Sequence, residues 1–468
     1  MSGARSREKG SELVDIVIVG GGPGGYAAAL HAHNHGLSTT LVEKDRPGGT
    51  CLTRGCIPMK HWLHVAEVFR TVAHAEGFGV VASQPEIDWP AALARKDRVV
   101  DGLVRGLRGL LKARGVEVVK GIGSLAGPGK VEVSLDEGST LIEGANVVLA
   151  TGSRPGSLTG YDVDGERIVT SDHALDWRER PRRVGIVGGG VVGCEFASFL
   201  IDAGSEVHVF EMMSQIVPGA DPESAKTLQR QLQRRGVKLH LGGGVGPAET
   251  GPDAVVVPVG EERVEVDAVL VAVGRSPNTE GVGLETVKAE TDRGFVEVDL
   301  DTMQTAEPRL YAVGDIVAGT AQLAHVAFAE GIAAVTHIAT GEARPVDYVA
   351  VPRVTYTHPE MAEVGVTLAE AEERGIEAET ALHTFNGIGR AVIMGRNKGA
   401  VKVIAAKDGP IIGASVVGPA AGELIHELMY AVGWEALPSE AAAFIHAHPT
   451  LSEAVGETLM SAAGMSLH

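Results

Sequence analysis

Two cysteines, Cys51 and Cys56, stand five residues apart in Gly48-Gly49-Thr50-Cys51-Leu52-Thr53-Arg54-Gly55-Cys56-Ile57-Pro58-Met59-Lys60. Thiols this close in sequence are either a redox pair that stores two electrons as a disulfide or two buried thiols that never pair. A regular helix, at ~100° per residue, would turn them about 140° apart. A bridge needs Cα atoms within ~7 Å, so a redox pair requires a distorted turn here. Gly55 supplies backbone freedom, and Pro58 suits the first turn of a following helix. Arg54, between the sulfurs, and the nearby helix N-terminus favour a thiolate. Far along the chain lies Phe444-Ile445-His446-Ala447-His448-Pro449-Thr450-Leu451-Ser452-Glu453. Thiol–disulfide exchange needs a group that takes a proton from an attacking thiol and returns it. Imidazole has the right pKa, and a carboxylate can orient it. Pro449 fixes the loop after His448, and Glu453 opens a helical pattern. His446 reads as a loop residue and Cys194 as packing.

The elements that would position such groups follow from an internal repeat. Val14–Val19 leads into Gly20-x-Gly22-x-x-Gly25 and an alanine-rich segment, Tyr26–His35; Val184–Val187 leads into Gly188-x-Gly190-x-x-Gly193 and Cys194–Ile201. Each copy continues into a second apolar strand, Thr39–Val42 or Glu206–Phe210, that ends in an acid, Glu43 or Glu211, 18 residues beyond the third glycine. One glycine triplet is weak evidence; two copies with strand, helix and acid in register are strong evidence for dinucleotide sites. The first glycine makes the tight turn, the second admits a pyrophosphate, and the third lets helix pack on strand. The pyrophosphate rests on unsatisfied N–H groups at the helix N-terminus, and the acid accepts from ribose hydroxyls. The residues after Glu211 are Met212-Met213-Ser214-Gln215, with no base to receive a 2′-phosphate. Its charge beside Glu211 would cost a few kcal/mol, judged from ~4 kcal/mol at 4 Å in an intermediate dielectric. NAD is therefore expected rather than NADP.

A second half closes each copy: Asn146–Ala150 runs into Thr151-Gly152-Ser153, and Ala268–Val273 into Gly274-Arg275. Leu310–Val313, followed by Gly314-Asp315, returns to the first domain. The expected architecture is α/β: two Rossmann-like dinucleotide-binding domains, the second inserted in the first, and a C-terminal α+β unit. Two dinucleotide sites in one chain imply hydride or electron transfer between two cofactors.

The Cys51–Cys56 string, preceded by the Gly20–Gly25 fingerprint and followed by Gly314-Asp315, resembles the flavin-dependent pyridine nucleotide–disulfide oxidoreductases. That family includes dihydrolipoamide dehydrogenase, glutathione reductase and mercuric reductase. The resemblance covers the chain from Val14 onward, and His446–Glu453 is similar to the active-site signature of the dihydrolipoamide dehydrogenase branch. It implies FAD contacts from Gly20, Gly22, Gly25, Glu43, Gly49, Thr50, Lys60, Thr151, Gly152, Ser153, Asp315, Gln322, Leu323, Ala324 and His325. NAD would be held by Gly188, Gly190, Gly193, Glu195, Glu211 and Gly274. It further implies a Cys51–Cys56 disulfide with Cys56 against the flavin and Cys51 exchanging with substrate. Glu195 would pair with Lys60 near the nicotinamide, and His448 with Glu453 would act as base in the partner subunit's site, which requires a homodimer. The implied domains are FAD-binding at 1–155 and 275–347, NAD-binding at 156–274, and a dimerisation domain at 348–468. The implied activity is oxidation of dihydrolipoamide or a lipoyl protein with NAD, the lipoyl domain belonging to an acyltransferase complex. Thr53, Arg54, Met59, His61 and Trp62 depart from the family's pattern. An extra charge and a bulky indole there would retune the thiolate or narrow the entrance. This supports a rival reading, the same machinery acting on a different small dithiol or disulfide. A second rival is a non-catalytic FAD-binding scaffold subunit; the presence of Cys51, Cys56, His448 and Glu453 speaks against it.

Composition bounds the rest. The chain has 468 residues, 62 of them glycine, 44% hydrophobic and 22% charged, which is globular rather than disordered. A net charge of −19 repels nucleic acid and acidic membrane surfaces. With 3 cysteines there is no disulfide-stapled scaffold. Met1–Glu12 lacks an apolar leader core, and no apolar run of about 18 residues occurs, so a cytoplasmic protein is expected. His31 and His35 share a helix face, where a solvated surface is favoured over zinc; no metal is expected. His61 and His64 suit either packing or a substrate channel.

Overall fold

The computed structural model describes residues 13–468; the reading of Met1–Glu12 lies outside the described residues. The chain divides into two compact units. The first comprises the residues up to Pro58, Lys96–Arg154 and Arg275–Val346; the second comprises Met59–Arg95, Pro155–Gly274 and Asp347–His468.

In the first unit Val14–Val19 lies between Thr39–Glu43 and Ser139–Leu149, all parallel. Glu117–Lys120 extends the sheet beyond Thr39–Glu43, and Leu310–Ala312 pairs with the far side of Ser139–Leu149. Strands covered on both faces read as continuous apolar runs, and Ile16, Val17, Ile18 and Leu41 are all fully buried. The start of Ser139–Leu149 pairs antiparallel with Lys130–Ser134, which pairs with Ile122–Leu125. The alanines after the first fingerprint let helix Pro23–Asn34 approach helix Ala324–Thr340 closely: a Cβ on Gly331 would stand 2.5 Å from the Gly24 carbonyl oxygen.

The second unit holds a parallel sheet in the order Lys238–Leu241, Glu206–Glu211, Arg183–Val187, Ala268–Val271, Ile168–Val169. It also holds an antiparallel sheet, Arg353–Thr355, Glu360–Gly365, Ile411–Gly418, Ala400–Ala406, Ala378–Thr384. Helices Ala421–Gly433 and Glu453–Ala462 share a core with the latter sheet. The second fingerprint thus occupies a segment inserted between pieces of the first unit.

Trp62 and Met59 do not line an entrance. Trp62 is 1% exposed, stacks on Trp89 with ring centroids 4.6 Å apart, packs on Phe199, and donates its indole N–H to the Leu175 carbonyl at 3.1 Å. Met59 is buried in the same cluster. The bulk that sequence alone placed at the disulfide's mouth fills a core, where the Trp62, Trp89 and Phe199 rings pack on one another.

Candidate active site

Both fingerprints are built alike. In the first, Gly20 turns at φ +105°, where a Cβ would stand 2.2 Å from the Ala150 carbonyl oxygen; on Gly25 it would stand 1.8 Å from the Gly20 carbonyl oxygen. In the second, Gly188 turns at φ +108°, and a Cβ on Gly193 would stand 1.9 Å from the Gly188 carbonyl oxygen. The middle glycines differ: a Cβ on Gly22 would meet only Gly49 Cα at 3.8 Å, and on Gly190 nothing within 4 Å. The first and third glycines are therefore demanded by the protein itself, whereas the second faces open space at a helix N-terminus. Helices Pro23–Asn34 and Val191–Asp202 both begin without a capping side chain, leaving N–H groups for an anion. The cradle fits a pyrophosphate in both copies.

The two acids do more than their spacing announced. Glu43 accepts from the Gly21 N–H at 2.7 Å and the Asp45 N–H at 2.8 Å. Glu211 accepts from the Gly189 N–H at 2.7 Å and the Met213 N–H at 2.9 Å. Both are buried, and each braces its own glycine loop.

In the first unit the cysteine segment is fastened to the fingerprint. The Gly48 N–H donates to the Gly21 carbonyl at 2.7 Å, and Gly49, at φ +57°, lies so close that a Cβ would stand 2.6 Å from Gly22 Cα. Helix Gly49–Arg54 carries Cys51 and stops at Gly55 (φ −143°, ψ −105°); Cys56 opens helix Cys56–Ala73. That break is the distorted turn that a disulfide requires, and the half-buried cysteines lie near one another. Burial, with Cys51 and Cys56 adding to it, pushes the Tyr26 phenol up to about 12. Arg54 turns to Asp45 at 3.1 Å, so its charge is shared with a carboxylate rather than held for the thiolates alone.

Also in this unit, the Ser153 hydroxyl donates to Asp315 at 2.5 Å and accepts from Arg275 Nε at 2.7 Å. Gln322 donates to the Asp315 carbonyl at 3.2 Å, Leu323 caps helix Ala324–Thr340, and Ala324 and His325 begin it. Thr151 donates to the Asn278 carbonyl at 2.7 Å; Gly152 turns at φ +70° beside it. Glu330, fully buried, accepts from the Gly314 N–H at 2.6 Å. Sequence reading missed Arg275, Asn278 and Glu330, whose partners are distant in the chain.

In the second unit Lys60 Nζ reaches both oxygens of Glu195, at 2.8 and 2.9 Å. The Tyr356 N–H donates to Glu195 at 3.0 Å, and Lys60 lies 4.6 Å over the Tyr356 ring. Tyr356 was not singled out from sequence, since a lone tyrosine before Thr-His-Pro carries no spacing signal. Gly274 turns at φ +109° after strand Ala268–Val271. His448 Nδ1 lies 2.7 Å from Glu453 Oε1, and the second oxygen of Glu453 accepts from the Thr450 N–H at 2.8 Å. Those two bonds hold the Glu453 carboxyl below its ordinary range. The His448 side chain is 78% exposed, on a segment where Phe444 and Ile445 are exposed as well. His446 is held by Glu427 at 3.2 Å. His61 is buried and bonded to the Ala92 carbonyl and Arg95, a packing role, while His64 is exposed beside Glu67. Cys194 is buried and donates to the Gly189 carbonyl. His31 and His35 bond each other at 3.3 Å, and among the described residues no group of three or more His, Cys, Asp and Glu is placed to hold a metal. No helix among the described residues is long and apolar enough to cross a membrane.

A fold with paired dinucleotide fingerprints and a cysteine pair bolted to one of them belongs to a defined class. The chain is a member of the pyridine nucleotide–disulphide oxidoreductase family: the family's main model matches residues 14–331 and its dimerisation-domain model residues 351–459. It is an NAD-dependent flavoprotein disulfide oxidoreductase with FAD and NAD as cofactors. Its relatives include the dihydrolipoyl dehydrogenase of Bacillus subtilis, 39% identical over 470 residues, covering 97% of this chain and 99% of that one. The mitochondrial dihydrolipoyl dehydrogenase of Dictyostelium discoideum is 41% identical, covering 98% and 96%. Among solved structures, LpdA of Mycobacterium tuberculosis superposes with a TM-score of 0.89 at 29% identity, covering 96% of this chain and 99% of that one.

Proposed function

We propose that this protein is a homodimeric dihydrolipoyl dehydrogenase that oxidises dihydrolipoamide, free or on a lipoyl domain of an acyltransferase complex in the cytoplasm, with NAD+. The observation that carries the reading is the His448–Glu453 pair at 2.7 Å with its ring 78% exposed. A base turned outward beside bare Phe444 and Ile445 needs a second copy to enclose it, and the matched dimerisation domain supplies that copy. The proposed domains are 1–155 with 275–347 for FAD, 156–274 for NAD and 348–468 for dimerisation.

His448 takes the proton of a substrate thiol, and Glu453 holds the imidazole in the orientation that leaves Nε2 to act. The substrate thiolate bonds to Cys51 Sγ, the Cys51–Cys56 bond breaks, and Cys56 leaves as a thiolate. The second substrate thiol then displaces Cys51, its proton passing to the departing Cys51 thiolate, which gives the cyclic disulfide of the substrate and a reduced cysteine pair while His448 keeps the first proton. FAD, when bound, supplies the two-electron link from the cysteine pair to NAD+. Gly20, Gly22, Gly25, Glu43, Gly49, Thr50, Lys60, Thr151–Ser153, Asp315 and Gln322–His325 would hold it, and Glu195 fixes the Lys60 side chain. Gly188, Gly190, Gly193, Glu211 and Gly274 would hold NAD, with Glu211 refusing a 2′-phosphate. Arg54, paired with Asp45, and the buried Met59 and Trp62 leave ordinary lipoamide chemistry favoured over a different dithiol.

The test is NAD+ reduction by the purified flavoprotein with dihydrolipoamide beside a panel of other small dithiols. Dihydrolipoamide should be the fastest by at least tenfold, and Cys51→Ser should abolish turnover while the flavin stays bound. Comparable rates on another dithiol, or turnover surviving in Cys51→Ser, would overturn the proposal.

A further inference from the structure

A cavity of about 590 Å³ lies wholly within the second unit. One wall is the side of helix Val191–Asp202 that carries Ser198 and Asp202; another is helix Cys56–Ala73, from Lys60 to Arg70. Residues 356–360 and 395–398 close it. Apart from Lys60, none of the residues lining it has a role in the proposed reaction.

The lining is cationic in a chain whose net charge is −19. Arg70, Arg235, Arg396 and Lys398 face it. The opposing carboxylates are Asp202, Glu67 and Glu360. Asp202 is shared between Arg70 and Arg235, Arg396 reaches Glu67 at 3.1 Å, and Lys60 is already committed to Glu195. Burial raises the Glu360 carboxyl from its ordinary range. Lys398 has no ion-pair partner among the described residues. His358 also lines the cavity, its main chain fixed by its N–H to Ser198 Oγ at 2.9 Å and by its carbonyl, which accepts from Arg235 at 2.6 Å. Its ring faces Arg70, Arg235, Arg396 and His74, with Asp202, Glu67 and Glu360 across the same cavity. Burial and those cations push it down to about 3, so the ring is neutral when nothing negative accompanies it.

We infer that this cavity is a binding site for a soluble, phosphate-bearing small molecule, distinct from both dinucleotide fingerprints. Guanidinium groups present paired N–H donors that match phosphate oxygens. A neutral imidazole among them adds a donor without charge repulsion. The volume falls in the range of pockets that enclose small ligands, ~300–1,000 Å³. Because Lys60 and Tyr356 also line the cavity, occupancy reaches the pair that fixes Glu195.

The experiment uses the FAD-loaded dimer with NAD+ saturating, so that both fingerprints are filled, and inorganic pyrophosphate as probe. Calorimetric titration should show one saturable site per chain, weakened at least tenfold in the double variant Arg396→Ala/Lys398→Ala. The His358 ring, followed by NMR, should titrate at a higher pH once pyrophosphate is bound. If the double variant does not fold, Lys398→Gln replaces it, with a threefold weakening expected. Absence of binding, equal affinity in wild type and variant, or an unmoved His358 titration would overturn the inference.

Discussion

The middle glycine of the second fingerprint separates ligand from scaffold. Gly190 has φ −71° and ψ −170°, extended backbone that alanine adopts freely, and a Cβ there meets no atom within 4 Å. A Gly→Ala change at a compatible position stabilises by about 0.4–1 kcal/mol through the unfolded state. Gly190→Ala should therefore melt no lower than wild type. A bound pyrophosphate is another matter. Backbone N–H groups hold oxygens at ~2.7–3.2 Å, while a methyl carbon needs ~3.5 Å, so the phosphate must shift outward. Losing one hydrogen bond to a charged group costs about 1.5–3 kcal/mol, which is about 10- to 150-fold in NAD+ affinity. Reduction of the enzyme by dihydrolipoamide without NAD+ should be untouched, and flavin content should be normal. Gly193→Ala is the control: its Cβ would lie 1.9 Å from the Gly188 carbonyl oxygen, so the loop itself must break and the melting temperature fall. Steady-state KM for NAD+, flavin absorbance and thermal melts read all of this. Unchanged NAD+ affinity in Gly190→Ala, or a melting loss as large as that of Gly193→Ala, would refute the reasoning.

Two further outcomes are expected. Glu211→Ala should narrow the preference for NADH over NADPH at least tenfold, measured as the ratio of kcat/KM values; because Glu211 also braces Gly189, the KM for NADH itself should rise. Glu363 offers a pH test. Burial pushes its carboxyl up to about 7, with Asp221 adding to it, although it accepts from the Asp221 N–H at 2.7 Å. Between the ordinary carboxylate range and about 7 the folded chain binds more protons at this site than the unfolded one. Its contribution is favourable at low pH and is lost as pH rises through that window. Glu363→Gln should flatten the fall in melting temperature between about pH 5 and about pH 8; an unchanged slope would show that the group does not titrate there.

What the sequence discloses divides by the range of the interaction. The fingerprints and the helix break at Gly55 were legible because each is decided within a short stretch of backbone, where glycine, proline and spacing act directly; the His448–Glu453 pair came from the resemblance of its string to a family signature, not from spacing alone. The strand ends moved by only a residue or two, as with Glu206–Glu211 and Ala268–Val271. Side chains whose partners lie far along the chain were not legible. Trp62 looked like an obstacle at the disulfide because sequence places it six residues from Cys56, but its rings and acceptor are Trp89, Phe199 and Leu175. Arg54 looked like a free charge until Asp45 appeared beside it. The cationic cavity has no sequence signature, since its arginines come from three distant segments.

The bracing acids sharpen what a fingerprint can prove. An acid 18 residues after the third glycine is commonly read as a ribose contact. In both copies here the same carboxylate also holds the N–H of the residue after the first glycine at 2.7 Å. The spacing is thus required by the loop's own hydrogen bonding, and a βα turn that binds nothing would show it too. The first and third glycines are equally explained by contacts within the protein. Only Gly22 and Gly190, which no protein atom crowds, lack an internal reason to be glycine. Within each motif, then, the glycine that points to a ligand is the middle one, which stands beside a helix N-terminus that no side chain caps.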